Sequence, residues 1–281
     1  MVRRFVAGEG LGDAVRVARE LASRGMTVSL DPLGENVSTR EEAEAATESV
    51  LSIVQAIRSA GVDSSVSIKL TQAGLDIGTE FCAANVRRML EAAREAGVAI
   101  QIDMEGSDYT ERTLAIYREL RPEHGNVGAV VQAYLRRTAA DLAALCEIGG
   151  PIRLCKGAYR EPAEVAFPEK AEVDANYVEL AQMLLSAGAR RRGVYPNIAT
   201  HDERLIEWTK EHVRSEGIGK DEFEFQMLYG NRRDLQEKLA AEGYRMRVYV
   251  PFGREWYPYF MRRLAERPAN VLFLVKNLLK Y

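Results

Sequence analysis

The alternation of short apolar runs with longer amphipathic segments is the feature that most limits how this chain can fold. Eight runs rich in β-branched and aromatic residues recur about every thirty residues, and a helical pattern follows each of them. Strand-then-helix units of this kind predict a parallel sheet in which a helix covers every crossover. The predicted strands span residues 26–31, 65–70, 98–104, 127–134, 152–159, 194–200, 223–229 and 245–253.

The helical segments complete this pattern, and no linker rich in Pro, Gly or Ser interrupts it. They span residues 11–24, 41–60, 80–96, 108–120, 137–148, 170–188, 202–216, 231–242, 255–266 and 270–281. Eight units in 281 residues predict an α/β fold of the (β/α)8 barrel type, which takes roughly 250 residues. We expect one domain over residues 1–281, with a helix before strand one and a further helix after strand eight. An open doubly wound sheet is the alternative.

Composition narrows the class of protein. A hydrophobic content of 47% and a charged content of 28% are typical of a globular protein with a large core. The net charge of −3 comes from well-mixed charges without a basic patch, which argues against a nucleic-acid partner. The three cysteines and three histidines lack metal-ligand spacing, so no metal is predicted. No signal peptide or membrane-spanning run is evident, so we expect a cytoplasmic protein and leave peripheral membrane contact open.

Polar residues at the strand ends point to a site. In a (β/α)8 barrel the active site lies at the carboxyl ends of the strands. A buried parallel strand should be almost continuously apolar, yet nearly every predicted strand carries an ionisable or amide residue near its exit. Each one alone is ordinary, but a ring of them indicates a pocket. The ring comprises Asp31, Lys69, Asp103, Gln132, Arg153, Lys156, Thr200, His201, Gln226 and Tyr249.

The segment PYFMRRLAER supplies a second polar surface. Read as a helix, it places Tyr259, Arg262, Arg263 and Glu266 on one face. A solvated helix face with an Arg262–Glu266 pair would explain this stripe if the segment stood alone. Because the segment follows strand eight, however, its first turns are predicted to overhang the mouth of the barrel. The two arginines would then face the pocket.

The charge of this pocket suggests an anionic ligand. Two adjacent guanidinium groups suit a carboxylate or a phosphate, since each planar group donates paired hydrogen bonds. The segments LYGNRRD and PFGREW, after strands seven and eight, contain one glycine each, which favours a small carboxylate over a phosphate there. At the exit of strand five, Gly157 and Ala158 let a flat ring or a phosphate approach the backbone. The predicted cations are Lys69, Arg153, Lys156, Arg262 and Arg263, against the acids Asp103 and Glu266.

These motifs resemble those of the FAD-dependent proline dehydrogenases, including the matching domain of the bifunctional proline utilization A enzymes. YFMRRLAER resembles the family's tyrosine–x–x–arginine–arginine–x–x–glutamate helix. SIKL, IDME, VVQAYLRR, RLCKGAY, IATH, FQMLYG and VYVPFG resemble its strand-end motifs in the same order, from about residue 26 to 270. The resemblance implies a distorted (β/α)8 TIM barrel that oxidises L-proline to Δ1-pyrroline-5-carboxylate with FAD. It also implies a membrane quinone as electron acceptor and a downstream pyrroline-5-carboxylate dehydrogenase.

The resemblance also assigns roles to residues of this sequence. The catalytic candidates are Asp103 and Arg153, with Arg153 near flavin N5. The residues implied to bind proline are Lys69, Arg262 and Arg263 at its carboxylate, and Tyr159, Leu228, Tyr249, Tyr259 and Glu266 around them. The residues implied to hold FAD are Met104, Gln132, Arg153, Lys156, Gly157, Ala158, Thr200 and His201. No dedicated base is evident for the substrate amine, and solvent can serve.

Two other functions stay open on the residues alone. A lyase or aldolase barrel would use Lys69 or Lys156 to form a Schiff base with a keto acid. A non-catalytic barrel would bind a flavin or a small carboxylate without turnover. Members of the resembled family often carry helices before the barrel, and the start of this sequence near the first predicted helix is compatible with a shortened chain.

Overall fold

A closed barrel of eight parallel strands forms the centre of the molecule. The computed structural model describes residues 4–265, except for the side chains of Phe260 and of residues 262–265. The strands pair in chain order and β1 closes on β8, so the predicted closed barrel is confirmed and the open sheet was the wrong alternative. The strands are β1 (Thr27–Pro32), β2 (Ser64–Ile68), β3 (Ile100–Ile102), β4 (Val127–Gln132), β5 (Gly150–Cys155), β6 (Val194–Ala199), β7 (Glu224–Leu228) and β8 (Met246–Phe252).

Helices surround the barrel, and one precedes β1. They are α1 (Leu11–Ala22), α2 (Arg40–Ala60), α3 (Thr79–Glu95), α4 (Thr110–Leu120), α5 (Thr138–Ile148), α6 (Lys170–Leu185), α7 (Ala187–Arg191), α8 (Glu203–Ser215), α9 (Arg233–Ala241) and α10 (Trp256–Ala265). A 3₁₀ turn at Ser107–Tyr109 leads into α4. Among residues 4–265, none of these helices has both the length and the apolar composition needed to cross a bilayer.

Local sequence signals explain where the helices begin and end. At the start of α2, Thr39 accepts from the backbone of Glu42, and the Glu42 side chain accepts from Thr39 in return. The same helix ends at Gly61, whose φ of 63° suits glycine. The predicted helix over residues 170–188 proves to be two helices. The extended backbone of Ser186 (ψ 146°) separates the two helices. The Ser186 hydroxyl accepts from the backbone N–H of Ala189 at the start of α7.

Several strands are shorter than the sequence predicts. The third is predicted over residues 98–104, but β3 covers only Ile100–Ile102. Lys69 and Asp103 therefore follow the last paired residues of β2 and β3 instead of lying within them. The predicted helix at residues 270–281 lies outside the described residues.

The hydrophobic core lies between the strands and the helices. Strand side chains alternate between two faces, and the outward-facing ones pack against the apolar sides of the helices. Leu30, Leu154, Ile198 and Val248, from four different strands, are each 0% exposed. This layer forms one continuous hydrophobic core around the barrel.

The interior of the barrel is polar instead. Side chains meet there through hydrogen bonds, both between neighbouring strands and across the lumen. Ser29 on β1 lies 2.9 Å from Ser67 on β2, and Tyr249 on β8 donates to Asp103 beyond β3 at 2.6 Å. Residues of β3 and β8 can make such contacts only across the lumen. The interior is therefore organised by hydrogen bonds and ion pairs, most densely towards the carboxyl ends of the strands.

Candidate active site

Lys69 and two carboxylates form the centre of the site at the mouth of the barrel. The Lys69 Nζ atom lies 2.8 Å from Asp31 Oδ1 and 3.8 Å from Asp103 Oδ2. All three residues are buried. Burial alone lowers the pKa of Lys69, but the charges of Asp31 and Asp103 outweigh it and hold that pKa well above its ordinary value. Lys69 is therefore expected to be protonated at neutral pH.

Arg153, at the fourth position of β5, extends this cluster. Its Nη1 donates to Asp103 Oδ1 at 2.5 Å, its Nε to Gln226 Oε1 at 2.5 Å and its Nη2 to Ser67 Oγ at 3.1 Å. The side chain is only 6% exposed. A guanidinium carries five N–H groups, so these three bonds leave two donors that no hydrogen bond of the described residues takes.

Tyr249 closes the cluster from β8. Its hydroxyl donates to Asp103 Oδ2 at 2.6 Å, and its ring lies 5.2 Å from the Arg153 guanidinium carbon. Burial, with the negative charges of Asp103 and Asp31, raises the pKa of Tyr249 well above its ordinary value. The phenol therefore stays neutral and keeps its proton to donate.

A third buried carboxylate, Glu105, organises the rim beyond β3. Glu105 accepts from the backbone N–H of Thr71 at 3.1 Å and from its hydroxyl at 2.6 Å. Gln132, at the end of β4, donates to the Glu105 backbone carbonyl at 3.0 Å. Met104, which precedes Glu105 in the chain, is buried. Burial raises the pKa of Glu105, while the hydrogen bonds from Thr71 oppose that change. Of the predicted flavin contacts, Gln132 and Met104 thus lie on the same rim.

Lys156, after β5, lies in an ion-pair cluster of its own. Its Nζ contacts Asp174 at 2.5 Å and Asp202 at 2.9 Å, and the Lys156 side chain is 26% exposed. Lys170 and Arg204 contact the same two carboxylates from the surface. The cluster thus joins α6 and the start of α8 to the exit of β5.

Gly157 follows Lys156 with a backbone that suits glycine. Its φ is +114°, and a Cβ built there would lie 2.1 Å from Tyr134 Cδ1. Ala158 and Tyr159 are half-buried next to it. Glycine at position 157 of RLCKGAY is therefore required by the close approach to Tyr134, a reason additional to the predicted access for a ligand.

The exits of β6 and β7 are joined by a histidine. His201 Nε2 accepts from the backbone N–H of Leu228 at 2.9 Å, which identifies Nε2 as the unprotonated nitrogen in this contact. Thr200 Oγ1 accepts from the Asp202 backbone at 3.1 Å. Predicted cofactor residues and the predicted substrate residue Leu228 are thus close neighbours.

Helix α10 lies over the exits of β1 and β8. Tyr259 is 5% exposed and packs with Val6 and Leu33, and Trp256 borders this small cluster. Leu33 directly follows β1, and its N–H is bonded to Phe252 at the end of β8. The side chains of Arg262 and Arg263, and the whole of Glu266, lie outside the described residues.

The predicted cations that the structure describes have acidic partners. The sequence suggests an excess of cations, but Lys69 and Arg153 face Asp31 and Asp103. In the same way Lys156 faces two aspartates. Each of these three cations therefore has a carboxylate partner, while the side chains of Arg262 and Arg263, which the prediction also counts, lie outside the described residues.

Comparisons with known proteins assign the family. A family model described as proline dehydrogenase matches residues 14–276. The chain belongs to the proline dehydrogenase family. It is 43% identical over 278 residues to proline dehydrogenase 1 of Bacillus subtilis (strain 168), covering 99% of this chain and 90% of that protein. It is 45% identical over 285 residues to the proline dehydrogenase of Deinococcus radiodurans, covering 100% and 90%. As a proline dehydrogenase family member, it is an oxidoreductase.

A solved structure supports the barrel assignment within this family. Proline utilization A of Bdellovibrio bacteriovorus, inactivated by N-propargylglycine, superposes with a TM-score of 0.87 at 28% identity. The match covers 94% of this chain and 32% of that protein, so the chain spans about a third of it. The family and fold suggested by the strand-end motifs are confirmed.

Some site residues were missed by sequence reasoning or left without a role. Asp31 and Gln226 belong to the predicted ring but had no function assigned, and both contact predicted residues directly. Asp174 was missed because an acid in the middle of an amphipathic helix resembles a solvated surface residue. For Glu224 and Arg247 a signal existed: polar residues two apart on β7 and on β8 indicate a strand face turned towards a polar interior.

Proposed function

We propose that this chain oxidises L-proline to Δ1-pyrroline-5-carboxylate with FAD as hydride acceptor. One observation carries the proposal: a buried, hydrogen-bonded cluster of Lys69, Asp103, Arg153 and Tyr249 lies at the barrel mouth of a proline dehydrogenase family member. (β/α)8 barrels place their active sites at this end. The chain would supply orientation and electrostatics, which is what flavoenzymes add to the chemistry of the cofactor.

The residues around Arg153 fit a flavin. Arg153 keeps two N–H donors, which suit the nitrogen and oxygen acceptors of an isoalloxazine. FAD, when bound, supplies the electron-pair acceptor at N5 for the hydride. The residues proposed to hold FAD are Met104, Gln132, Arg153, Lys156, Gly157, Ala158, Thr200 and His201.

The substrate carboxylate is assigned to Arg262 and Arg263, with Lys69 beside them. The carboxylate partners of Lys69 and Arg153 support this assignment, because these cations are already compensated and an anionic substrate needs further cations. Tyr159, Leu228, Tyr249 and Tyr259 are proposed to enclose the ring and exclude water, with Glu266 completing the arginine face.

Asp103 is proposed to act by holding Arg153 in place and not as the base. Its two oxygens accept from Arg153 and Tyr249, and Lys69 lies 3.8 Å away. Both carboxylate oxygens are thus occupied by donors that hold the cluster together. The proton of the substrate ammonium is therefore assigned to solvent before hydride transfer.

A Schiff-base lyase is disfavoured by the state of the lysines. Such an enzyme needs a lysine that loses its proton near neutral pH. The pKa of Lys69 is held high by Asp31 and Asp103, despite the opposing effect of burial. Lys156 lies between two carboxylates. A non-catalytic barrel would bind FAD or a carboxylate but would not oxidise proline, so an assay of flavin reduction distinguishes it from the proposed enzyme.

Electrons are proposed to leave for a membrane quinone, from a cytoplasmic protein that touches the membrane surface. A pyrroline-5-carboxylate dehydrogenase is proposed to consume the product. The family membership supports both, and the chain corresponds to about a third of a proline utilization A protein.

An anaerobic titration with L-proline tests the function. The FAD-loaded protein should lose its yellow absorbance with proline and regain it with a soluble quinone. Pyrrolidine, which lacks the carboxylate, should act far more weakly. A protein that binds FAD but is not reduced by proline is a binding module. A protein that takes up no FAD, or that traps a keto acid on reduction with borohydride, contradicts the proposal.

A further inference from the structure

Gln226 connects the Arg153 side chain to a chain of charged groups that runs down the barrel interior. Gln226 Oε1 accepts from Arg153 Nε at 2.5 Å, and Gln226 Nε2 donates to Glu224 Oε1 at 2.6 Å. The same Glu224 oxygen accepts from Arg247 Nε at 2.7 Å. Arg153, Gln226 and Glu224 are each at most 6% exposed. The four side chains thus form an unbroken row of charge-assisted hydrogen bonds.

The strand geometry places the members of this row next to one another. Glu224 and Gln226 are two residues apart on β7 and therefore face the same side. Arg247 lies opposite Gln226 in the pairing of β7 with β8. Its Nη1 donates to the Val28 carbonyl on β1 at 2.8 Å, which fixes the lower end of the row to the backbone.

The chemistry of the row permits one orientation of the amide. A primary amide has an acceptor end and a donor end. The carboxylate of Glu224, itself paired with Arg247, can only accept, so the amide nitrogen must face it. The amide oxygen must then face Arg153, whose Nε can only donate.

We infer that Gln226 is a positioning residue for Arg153, and that Glu224 and Arg247 fix the direction in which its amide faces. Together with Asp103 and Ser67, it holds the guanidinium from three sides, so that the two remaining N–H donors keep one direction. This deepens the proposed function and rests on it in one respect: the ligand of those two donors is the flavin. A cation held beside a flavin favours the reduced, electron-rich form.

The first experiment needs no cofactor. In protein labelled with ¹⁵N-arginine, the Nε–H signal of Arg153 is identified by its loss in Arg153→Met. We expect this proton to exchange slowly with solvent, and at least tenfold faster in Gln226→Met. The matched control is Gln101→Met, which removes another buried interior amide that is bonded to the Ala129 carbonyl and not to Arg153. An unchanged exchange rate in Gln226→Met overturns the inference.

A double variant that swaps the carboxylate and the amide tests whether the orientation of the amide matters. The double variant Glu224→Gln/Gln226→Glu keeps one carboxylate and one amide between the arginines. The carboxylate can accept from Arg153 and from the amide, whose oxygen can accept from Arg247. We expect the Arg153 Nε–H to exchange slowly again in this variant. If Gln226→Met sped up exchange only by loosening the barrel in general, the double variant would not restore slow exchange.

The second experiment measures the midpoint potential of bound flavin. We expect a lower potential than wild type in Gln226→Met, where Arg153 is held less firmly. The double variant should also show a lower potential, since a carboxylate then touches Arg153 directly. Gln101→Met should match wild type. Equal potentials in all four proteins make Gln226 a purely structural residue and overturn the inference. If the wild-type protein takes up no FAD, the proposed function is wrong, and so is the claim that Arg153 contacts a flavin. The hydrogen-exchange experiment still decides whether Gln226 positions Arg153.

Discussion

At the scale of single residues, Asp103 shows how the site is held together. Its carboxylate faces Arg153 and Lys69 and accepts from Tyr249, and it is buried with them. Two buried cations need a counter-charge, since an unpaired buried charge is costly. The cluster is therefore a unit in which the removal of one charge affects all its members.

Asp103→Asn should reduce the free energy of unfolding by about 3 kcal/mol, because breaking a buried ion pair leaves its partner uncompensated. Urea unfolding at neutral pH measures this. The control is Glu119→Gln, which removes one side of the Arg87–Glu119 pair, whose side chains are 38% and 53% exposed. Exposed pairs contribute at most about 1 kcal/mol. Equal losses in both variants would contradict the view that Asp103 compensates the interior cations.

At the scale of secondary structure, Asp202 links a helix start to the site. It caps α8 by accepting from the Arg204 N–H at 3.2 Å and also binds Lys156. Burial acts to raise the pKa of Asp202, but the hydrogen bonds from Lys156 and Arg204 outweigh it and hold the pKa below its ordinary value. Asp202 therefore stabilises the folded state when it is ionised.

The contribution of Asp202 to the free energy of unfolding should therefore fall as the pH is lowered. The contribution of Asp202 is complete above the unfolded pKa of about 3.9 and is lost as the pH falls towards the lower folded value. Asp202→Asn keeps a good capping side chain but loses the charge. We expect it to be less stable than wild type by about 1.5–3 kcal/mol at pH 6.

Urea unfolding of both proteins between pH 6 and pH 3 checks this prediction. The difference should shrink below about pH 4. As a control, Asp13→Asn alters a pair with Arg16 whose side chains are 48% and 55% exposed, so its effect should be small at every pH. A difference between Asp202→Asn and wild type that stays constant with pH would show that the charge is not involved.

The elements and the strand-end residues were largely predictable from the sequence. Apolar periodicity is local, so the order of strands and helices followed from it, and parallel topology then brought Lys69, Asp103, Arg153 and Tyr249 to one end. The choice of partners was not predictable. Whether Lys69 pairs with Asp31 or with a substrate depends on distances across the lumen, which one sequence does not contain.

At the scale of the whole molecule, the last described helix packs outside the main core of the barrel. The main core is formed by the eight strands and the helices packed on them, whereas Tyr259 of α10 belongs to a small cluster with Val6 and Leu33. Few described contacts of the barrel therefore depend on α10, although the proposed substrate arginines lie on it.

A chain ending at residue 253 should fold as a barrel with the same circular dichroism and cooperative urea unfolding, but it should not be reduced by proline. The physical reason is that the closed sheet and its core remain complete. Arg262→Met/Arg263→Met in the full chain is the matched control, which keeps the helix but not its charges. It should lose proline reduction while keeping its FAD. Non-cooperative unfolding of the shortened chain would show that the barrel needs its final segment.

The polar lumen has a consequence for any attempt to make this protein more robust. Many (β/α)8 barrels fill the centre with branched aliphatic side chains, and replacing buried ion pairs by such residues often increases stability. Here the same replacement would cut the row from Arg247 to Arg153. Substitutions that raise the thermal stability should therefore be sought in the outer layer between strands and helices. Changes there leave the hydrogen bonds between Arg153, Gln226, Glu224 and Arg247 intact.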